Sequence, residues 1–201
     1  AVRFQERLDY DVALFSTDSV FIVRPHTFSI RRLYQALGEE GVADVTPVYI
    51  FQAVFKNPWN ADRRNVLALG FDPDRPLLKT AGFAEAQPLL RQQDVVLFDS
   101  GSRKEFGAVA DTVRAEGRLV TEVNDREVAV VGLYTLGTSF GIDGSIVTSD
   151  DNWLRLFPAH GREEIELGLI RLKPGADPDA VRDALRSRLP KDVLVLTKAD
   201  F

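Results

Sequence analysis

The apolar and polar positions of this chain predict two strand–helix–strand units, one near each end. The first unit begins with an apolar run at 20–23, continues with a helix that Thr27 or Ser29 can cap, and returns as a long strand at 45–55. Its helix carries apolar residues at the i, i+3, i+4, i+7 spacing of one buried face, namely Ile30, Leu33, Tyr34 and Leu37.

The second unit repeats this order near the carboxyl end. A strand at 165–172 stops at a Lys-Pro-Gly turn, and Asp177 followed by Pro178 is a strong start signal for a helix. The chain then returns as a strand at 193–196. The predicted apolar stripe of this helix consists of Val181, Ala184, Leu185 and Leu189.

Pairing of the two units predicts the fold class. One such unit cannot bury its sheet face alone, so we expect both to form a four-stranded, ferredoxin-like sheet with the two helices on one side. Because the units lie at opposite ends of the chain, the residues between them are an insertion. The sequence therefore predicts an α+β fold of two lobes, with residues 1–57 and 162–201 in a discontinuous lobe and residues 58–161 in an inserted mixed α/β lobe.

The insertion has its own signals. Ser102 and Glu105 have the spacing of a capping box, which predicts a helix beginning there. Ser149 is expected to cap a short helix on which Trp153 and Phe157 share one face, and core packing is the favoured role of these two rings. Strands are predicted at 65–71, 95–98 and 145–148, and a hairpin is predicted from 119–123 and 127–131 around the turn 124–126.

Composition removes several classes of function. A net charge of −5 and a pI near 5.1 disfavour nucleic acid as a partner, because phosphate binding needs a concentrated basic surface. The chain has no Cys, which excludes disulfides, thiolate metal sites and thiol nucleophiles. It also lacks Met and any run of about 20 apolar residues, so we interpret it as a soluble, excised or processed fragment.

Candidate catalytic and metal-binding residues are scarce. His26 and His160 are the only histidines, too few for a zinc site, and surface or capping roles are favoured for both. The aspartates near 72 and 150 lack the ligand spacing of a calcium loop. We therefore predict no catalytic, cofactor-binding or metal-binding residues, and the weakest hypothesis is a hydrolase assembled from Asp99, Ser100 and His160.

A glycine-rich segment at 132–158 supplies candidates for partner contact. Its glycines do not have the spacing of a phosphate-binding loop, and a strand rather than a helix is predicted to follow. Phe140 has no periodic pattern that would bury it, and Trp59 follows Asn-Pro at the predicted lobe boundary. The predicted contact residues are Trp59, Gly137, Phe140, Gly141 and Gly144.

An ordered set of motifs carries a family resemblance. The set comprises RRLYQA at 31–36, KNP at 56–58, GFDPDRP at 70–76, VLFD at 96–99, the segment 132–158 and GLIRLKPG at 168–175. In this order they resemble the periplasmic domain of heterocyst-type (DevC-like) ABC exporter permeases, within the MacB-like, FtsX-like permease family.

The resemblance implies an architecture and a set of partners. The discontinuous lobe would be porter-like, the insertion Sabre-like, and the domain would lie in the periplasm between the first and second transmembrane helices of a homodimeric permease. The implied partners are an ABC ATPase subunit that hydrolyses ATP, a membrane-fusion adaptor and a TolC-type outer-membrane channel, with glycolipid as the cargo. The domain itself would be non-catalytic. The alternative is a periplasmic sensor module that binds a small molecule or lipid between its lobes.

Overall fold

The computed structural model describes residues 4–19, 24–137 and 142–200, which form eleven strands and six α-helices. The predicted strand at 20–23, Phe140 and Gly141 lie outside these residues. The strands are β1 Val12–Ser16, β2 Phe28–Ser29, β3 Val42–Lys56, β4 Arg63–Phe71, β5 Val95–Asp99, β6 Leu119–Val123, β7 Arg126–Tyr134, β8 Ser145–Ser149, β9 Glu164–Ile165, β10 Leu167–Leu172 and β11 Val193–Thr197. The helices are α1 Phe4–Arg7, α2 Ile30–Ala36, α3 Phe83–Ala86, α4 Val109–Glu116, α5 Asp150–Leu156 and α6 Pro178–Arg188.

Nine of the strands form one mixed sheet in the order β11-β1-β10-β3-β4-β8-β5-β7-β6, while β2 and β9 pair separately. The pairs β4–β8 and β5–β7 are parallel, and the other neighbours in the sheet are antiparallel. Helices cover both faces of the sheet. The predicted α+β class is confirmed.

Strands from both ends of the chain lie side by side as β11, β1, β10 and β3. Helices α2 and α6 pack on the same face of this group, where Leu33 and Leu185 share one core with Leu14. The sequence did not predict β1, because all five of its residues are buried and it lacks the alternation of a half-exposed strand.

The sheet continues beyond the four strands expected from the two ends. β3 is 15 residues long, and its first part pairs with β10 up to Val48, while its second part pairs with β4 from Val48 to Lys56. A single long strand thus runs through both parts of the sheet. The division into lobes at residues 58 and 161 stays a prediction.

The far edge of the sheet curls back onto β3. β6 pairs with β7 along its length and also with β3 through Phe55 and Val123, which closes a ring of six strands. The hairpin that carries β6 turns at Asn124 and Asp125, whose φ angles of 51° and 62° match a type I′ turn. The predicted hairpin is therefore confirmed, although Arg126 belongs to β7 rather than to the turn.

Three of the predicted helix starts are correct. Ser29, Ser149 and Asp177 each accept a hydrogen bond from a backbone N–H in the first turn of α2, α5 and α6, respectively. The capping box at 102–105 is wrong, because a 3₁₀ helix at Lys104–Phe106 ends at Gly107 (φ 99°) and α4 begins only at Val109.

Two details of the predicted units also differ. The buried residues of α2 are Leu33 and Ala36, whereas Tyr34 and Leu37 are each 47% exposed, and Leu37 lies beyond the end of this helix. The predicted strand at 165–172 is divided into β9 and β10 at Glu166, a residue only 3% exposed.

Candidate docking site at the loop end

The register of the sheet brings three connecting segments to one end. Lys56 of β3 pairs with Arg63 of β4, so the loop between them lies at this end. β8 runs parallel to β4 and begins here, while β5 and β7 run the opposite way and finish here. We call residues 57–62, 100–108 and the described part of 135–144 the loop end.

The described ends of the chain lie at the other end of β3. Thr197 pairs with Val12, Val12 with Ile170, and Ile170 with Val45 near the start of β3. The Lys198 ammonium donates a hydrogen bond to the Leu8 carbonyl at 3.0 Å, which holds the two ends side by side. At a rise of roughly 3.3 Å per residue, the stretch of β3 from Val45 to Lys56 separates this level from the loop end by about 36 Å.

Asp99 holds two of the loops together. Its side chain is fully buried, and its carboxylate accepts hydrogen bonds from the backbone N–H groups of Gly101 (2.9 Å), Leu136 (2.8 Å) and Gly137 (2.9 Å). Because these donors belong to the segments that follow β5 and β7, one carboxylate fixes both. The sequence alone suggested Asp99 only as part of a hydrolase site and did not predict this role, because its partners lie up to 38 positions away.

A buried hydroxyl pair lies beside this carboxylate. The Tyr134 hydroxyl is 2.7 Å from Ser145 Oγ, which lies 3.5 Å from Asp99. Burial raises the pKa of Tyr134 well above its ordinary value, and the charge of Asp99 adds to this rise. The phenol therefore stays protonated and acts as a structural hydrogen-bonding group.

The two described glycines among the predicted contact residues allow close packing. Gly137 has a φ of 91°, and a Cβ on Gly101 would lie 2.7 Å from the Gly137 Cα. A Cβ on Gly144 would lie 2.7 Å from both Phe106 Cε2 and Ser102 Oγ. These glycines give the loop end its shape, and their predicted contact with a partner stays a prediction.

Trp59 is the exposed aromatic residue of the loop end. It is 52% exposed, and its indole ring lies against the backbone of Gly107, where no side chain would fit. Asn57 fixes the loop, since its Oδ1 accepts from the Trp59 N–H at 2.9 Å and its Nδ2 donates to the Glu105 carbonyl at 3.2 Å. Half of the ring is thus presented to solvent from an ordered loop.

Charged side chains also lie at the loop end. Asp143 pairs with Arg103 at 2.7 Å and with Arg64 at 3.2 Å, and both arginines are partly exposed. A shallow polar cleft beside these pairs is lined by Asn60, Asp62, Arg63, Arg64 and Glu105. An exposed aromatic group inside a polar rim is typical of a protein contact surface.

The hydrolase hypothesis fails on geometry. His160 bonds Glu166 and the Gly161 carbonyl through its two ring nitrogens, and Ser100 Oγ bonds Thr135 Oγ1 at 2.9 Å. Asp99, Ser100 and His160 therefore do not form a triad. Within the described ranges, no group of three or more His, Asp or Glu side chains is placed to hold a metal ion.

We predict that Gly107→Ala displaces the Trp59 ring from its position against the Gly107 backbone. A Cβ at this position would overlap the indole ring, so the ring must move and its fluorescence emission should shift to longer wavelength. The control is Gly117→Ala, because Gly117 also has a positive φ (78° against 99°) but no heavy atom within 4 Å of the added Cβ. Equal emission spectra for the two variants would contradict the packing of the Trp59 ring on Gly107.

Comparison with known proteins identifies the fold. The periplasmic region of MacB from Actinobacillus actinomycetemcomitans matches with a TM-score of 0.63 at 12% identity, covering 97% of this chain and 92% of that one. The extracellular domain of YknZ, a noncanonic ABC-type transporter from Gram-positive bacteria, matches with a TM-score of 0.59 at 12% identity, covering 92% of this chain and 99% of that one. At these identities the likeness concerns the fold alone, and no curated protein matches the sequence.

The family assignment comes from the sequence itself. The family model described as the MacB-like periplasmic core domain matches residues 5–188. None of the helices in the described parts of the chain is long and apolar enough to cross a membrane. The chain therefore belongs to the MacB-like periplasmic core domain family.

Proposed function

We propose that this domain docks a membrane-fusion adaptor at its loop end and couples ATP-driven movement of the transmembrane helices to export through a TolC-type channel. The observation that carries the proposal is the separation of the two described chain ends from the loop end by the length of β3. If the permease continues into transmembrane helices from both ends, the loop end is the part farthest from the membrane. An adaptor that reaches towards an outer-membrane channel would meet that part first.

The continuous sheet supports mechanical coupling. Helix movements would act on β1 and β11 near the chain ends, and β3 joins these strands through β10 to the ring of six strands. Packed sheets transmit displacement as nearly rigid bodies, since their interiors are dense and resist compression. Movement at the membrane would therefore appear as displacement of the loop end, with no chemistry required in this domain.

The surface of the loop end supports adaptor contact. Trp59 supplies a half-exposed indole ring, and aromatic residues within a polar rim dominate the binding energy of many interfaces. Gly137 and Gly144 flank Phe140 and Gly141 in the sequence, and the same contact role is proposed for all four residues. Hydrolysis of ATP belongs to a separate ATPase subunit in this scheme.

The motif set extends the proposal to a subfamily. The segments at 70–76 and 132–158 support a heterocyst-type, DevC-like permease, which would work as a homodimer and export glycolipid. The acidic net charge of −5 agrees with a partner that is not nucleic acid.

We predict that Trp59→Ala weakens adaptor binding about tenfold or more, because truncating an aromatic anchor usually costs more than about 1.4 kcal/mol of binding free energy. Biolayer interferometry with a purified membrane-fusion adaptor would measure this change. The matched control is Leu194→Ala on β11, since Leu194 is 41% exposed and lies away from the loop end.

Two results would contradict the proposal. Equal affinity of wild type and Trp59→Ala would remove Trp59 from the interface, and a loss in Leu194→Ala alone would move the interface to the other end of the sheet. Absence of adaptor binding combined with a thermal shift on adding lipids or small ligands would favour the sensor alternative.

A further inference from the structure

A pair formed by the partly buried His160 and the buried Glu166 ties the segment after α5 to the edge of β3. Glu166 is 3% exposed, and its Oε1 lies 2.6 Å from His160 Nε2. Its Oε2 accepts a hydrogen bond from the Ile50 N–H at 2.9 Å. Both oxygens of one buried carboxylate therefore have partners, one on β3 and one in the segment that leads from α5 to β10.

The Glu166 side chain takes the place of a missing strand partner. β10 stops pairing with β3 at Val48, and β6 reaches β3 only at Phe55, so the stretch between them has one uncovered edge. At this edge, the Val48 carbonyl accepts from the Glu166 N–H at 3.3 Å and the Ile50 N–H donates to the Glu166 carboxylate. The carboxylate thus satisfies a β3 backbone donor that would otherwise be left open.

Hydrogen-bond geometry defines the protonation state of His160. Its Nδ1 lies 2.7 Å from the Gly161 carbonyl oxygen, and its Nε2 lies 2.6 Å from the Glu166 carboxylate. A carbonyl oxygen and a carboxylate oxygen both accept hydrogen bonds, whereas a neutral imidazole has only one N–H group. Both contacts are satisfied together only when the ring is an imidazolium.

The surroundings of the His160 ring contain groups that lower its pKa and groups that raise it. Burial against Trp153 and Tyr49 lowers the pKa of His160, but the hydrogen bond and charge of Glu166 raise it, and the net pKa lies above the ordinary value of 6.5. The other titratable or charged side chains around the pair and around Tyr49 are Glu164, Arg162, Asp150, Asp151 and Tyr34.

We propose that His160 and Glu166 form a proton-dependent clasp, which holds the segment 157–166 on β3 while the imidazole is protonated and releases it as the pH rises. A raised pKa in the folded state means that the stabilisation is fully present below the unfolded pKa of about 6.5. It is lost as the pH rises through the folded pKa, because deprotonation leaves one ring nitrogen facing an acceptor without a proton.

The position of the clasp gives it a mechanical role. His160 lies at the end of the predicted inserted lobe, and Glu166 lies in the segment that returns to the sheet beside β3. Opening the clasp would loosen the link between α5 and β10 without breaking the pairing of β3 with β4. Extracytoplasmic pH would in this way set how stiffly the two parts of the domain move together.

Hydrogen exchange at the Ile50 amide tests the clasp. The exchange rate would be measured by NMR from pH 5 to 9 and corrected for intrinsic exchange. Protection of Ile50 should fall about tenfold for each pH unit between 6.5 and the folded pKa of His160, and then stay level. The Val147 amide in the centre of the sheet is the internal control, because global unfolding would change both amides alike. Protection of Ile50 that changes no more than that of Val147 would overturn the proposal.

Three variants distinguish the titration of His160 from the titration of other groups. His160→Gln should abolish the pH dependence at Ile50, Glu166→Gln should lower the pKa of His160, and His26→Gln should leave both unchanged, since His26 is exposed. If the protection of Ile50 still depends on pH in His160→Gln, the clasp is excluded. If the His160 and Glu166 variants do not fold, the imidazole titration of the His26→Gln protein still decides, because a His160 pKa of 6.5 or less would exclude it.

Discussion

Replacing Trp153 with alanine is expected to lower the free energy of unfolding by about 3–5 kcal/mol. The Trp153 side chain is fully buried, and its ring stacks between Tyr49 and Phe157 at centroid distances of 5.0 and 4.1 Å. Its Nε1–H also donates to the Ala68 carbonyl at 3.0 Å. The substitution therefore removes a large apolar surface and leaves a buried carbonyl without its donor.

The cavity that this substitution leaves has little freedom to close. The Trp153 side chain lies directly against the backbone of Gly70, in a place where no Cβ would fit, and β4 is held between β3 and β8. Because a paired central strand cannot move inward, the cost should lie near the upper end of the range.

Urea denaturation of matched tryptophan variants would measure this difference. Trp59→Ala is the control, since it removes the same side chain from a site that is 52% exposed and should cost about 1 kcal/mol or less. Similar losses in the two variants would contradict the assignment of Trp153 to the core and of Trp59 to the surface.

Replacing Asp99 with alanine is expected to cost about 3–5 kcal/mol of unfolding free energy and to disorder the loop end. Three backbone N–H groups, those of Gly101, Leu136 and Gly137, donate to this buried carboxylate. Hydrogen bonds to a charged acceptor are worth more than neutral ones, and each donor left buried without a partner carries a desolvation penalty.

The matched control is Asp111→Ala on α4, because the Asp111 side chain is 85% exposed and only joins a surface ion pair with Arg114. Chemical denaturation should show a large loss for Asp99→Ala and almost none for the control. Adaptor binding should fall in Asp99→Ala even at temperatures where its far-UV circular dichroism is native. Unchanged stability together with unchanged binding would remove Asp99 from the support of the loop end.

Local chemistry determined those parts of the fold that depend on neighbours in the sequence. A side chain that can accept a hydrogen bond from the first turn marks a helix start whatever the tertiary structure, which is why Ser149 and Asp177 were identified correctly. Asn124 and Asp125 likewise fit a turn with two positive φ angles. The ordered motifs also led to the MacB-like family, which the match over residues 5–188 confirms.

Long-range contacts decided what the sequence could not. β1 was missed because a strand buried on both faces shows no alternation, and the helix predicted at Ser102 starts later because Gly107 takes a positive φ beneath Trp59. Glu166 meets the Ile50 backbone across 116 positions, and nothing local marks a partner at that distance. The sequence by itself thus determined caps, turns, the α+β class and the family. Only the tertiary structure placed Asp99, His160 and Glu166 against their partners, because burial and pairing depend on which distant segments share a sheet.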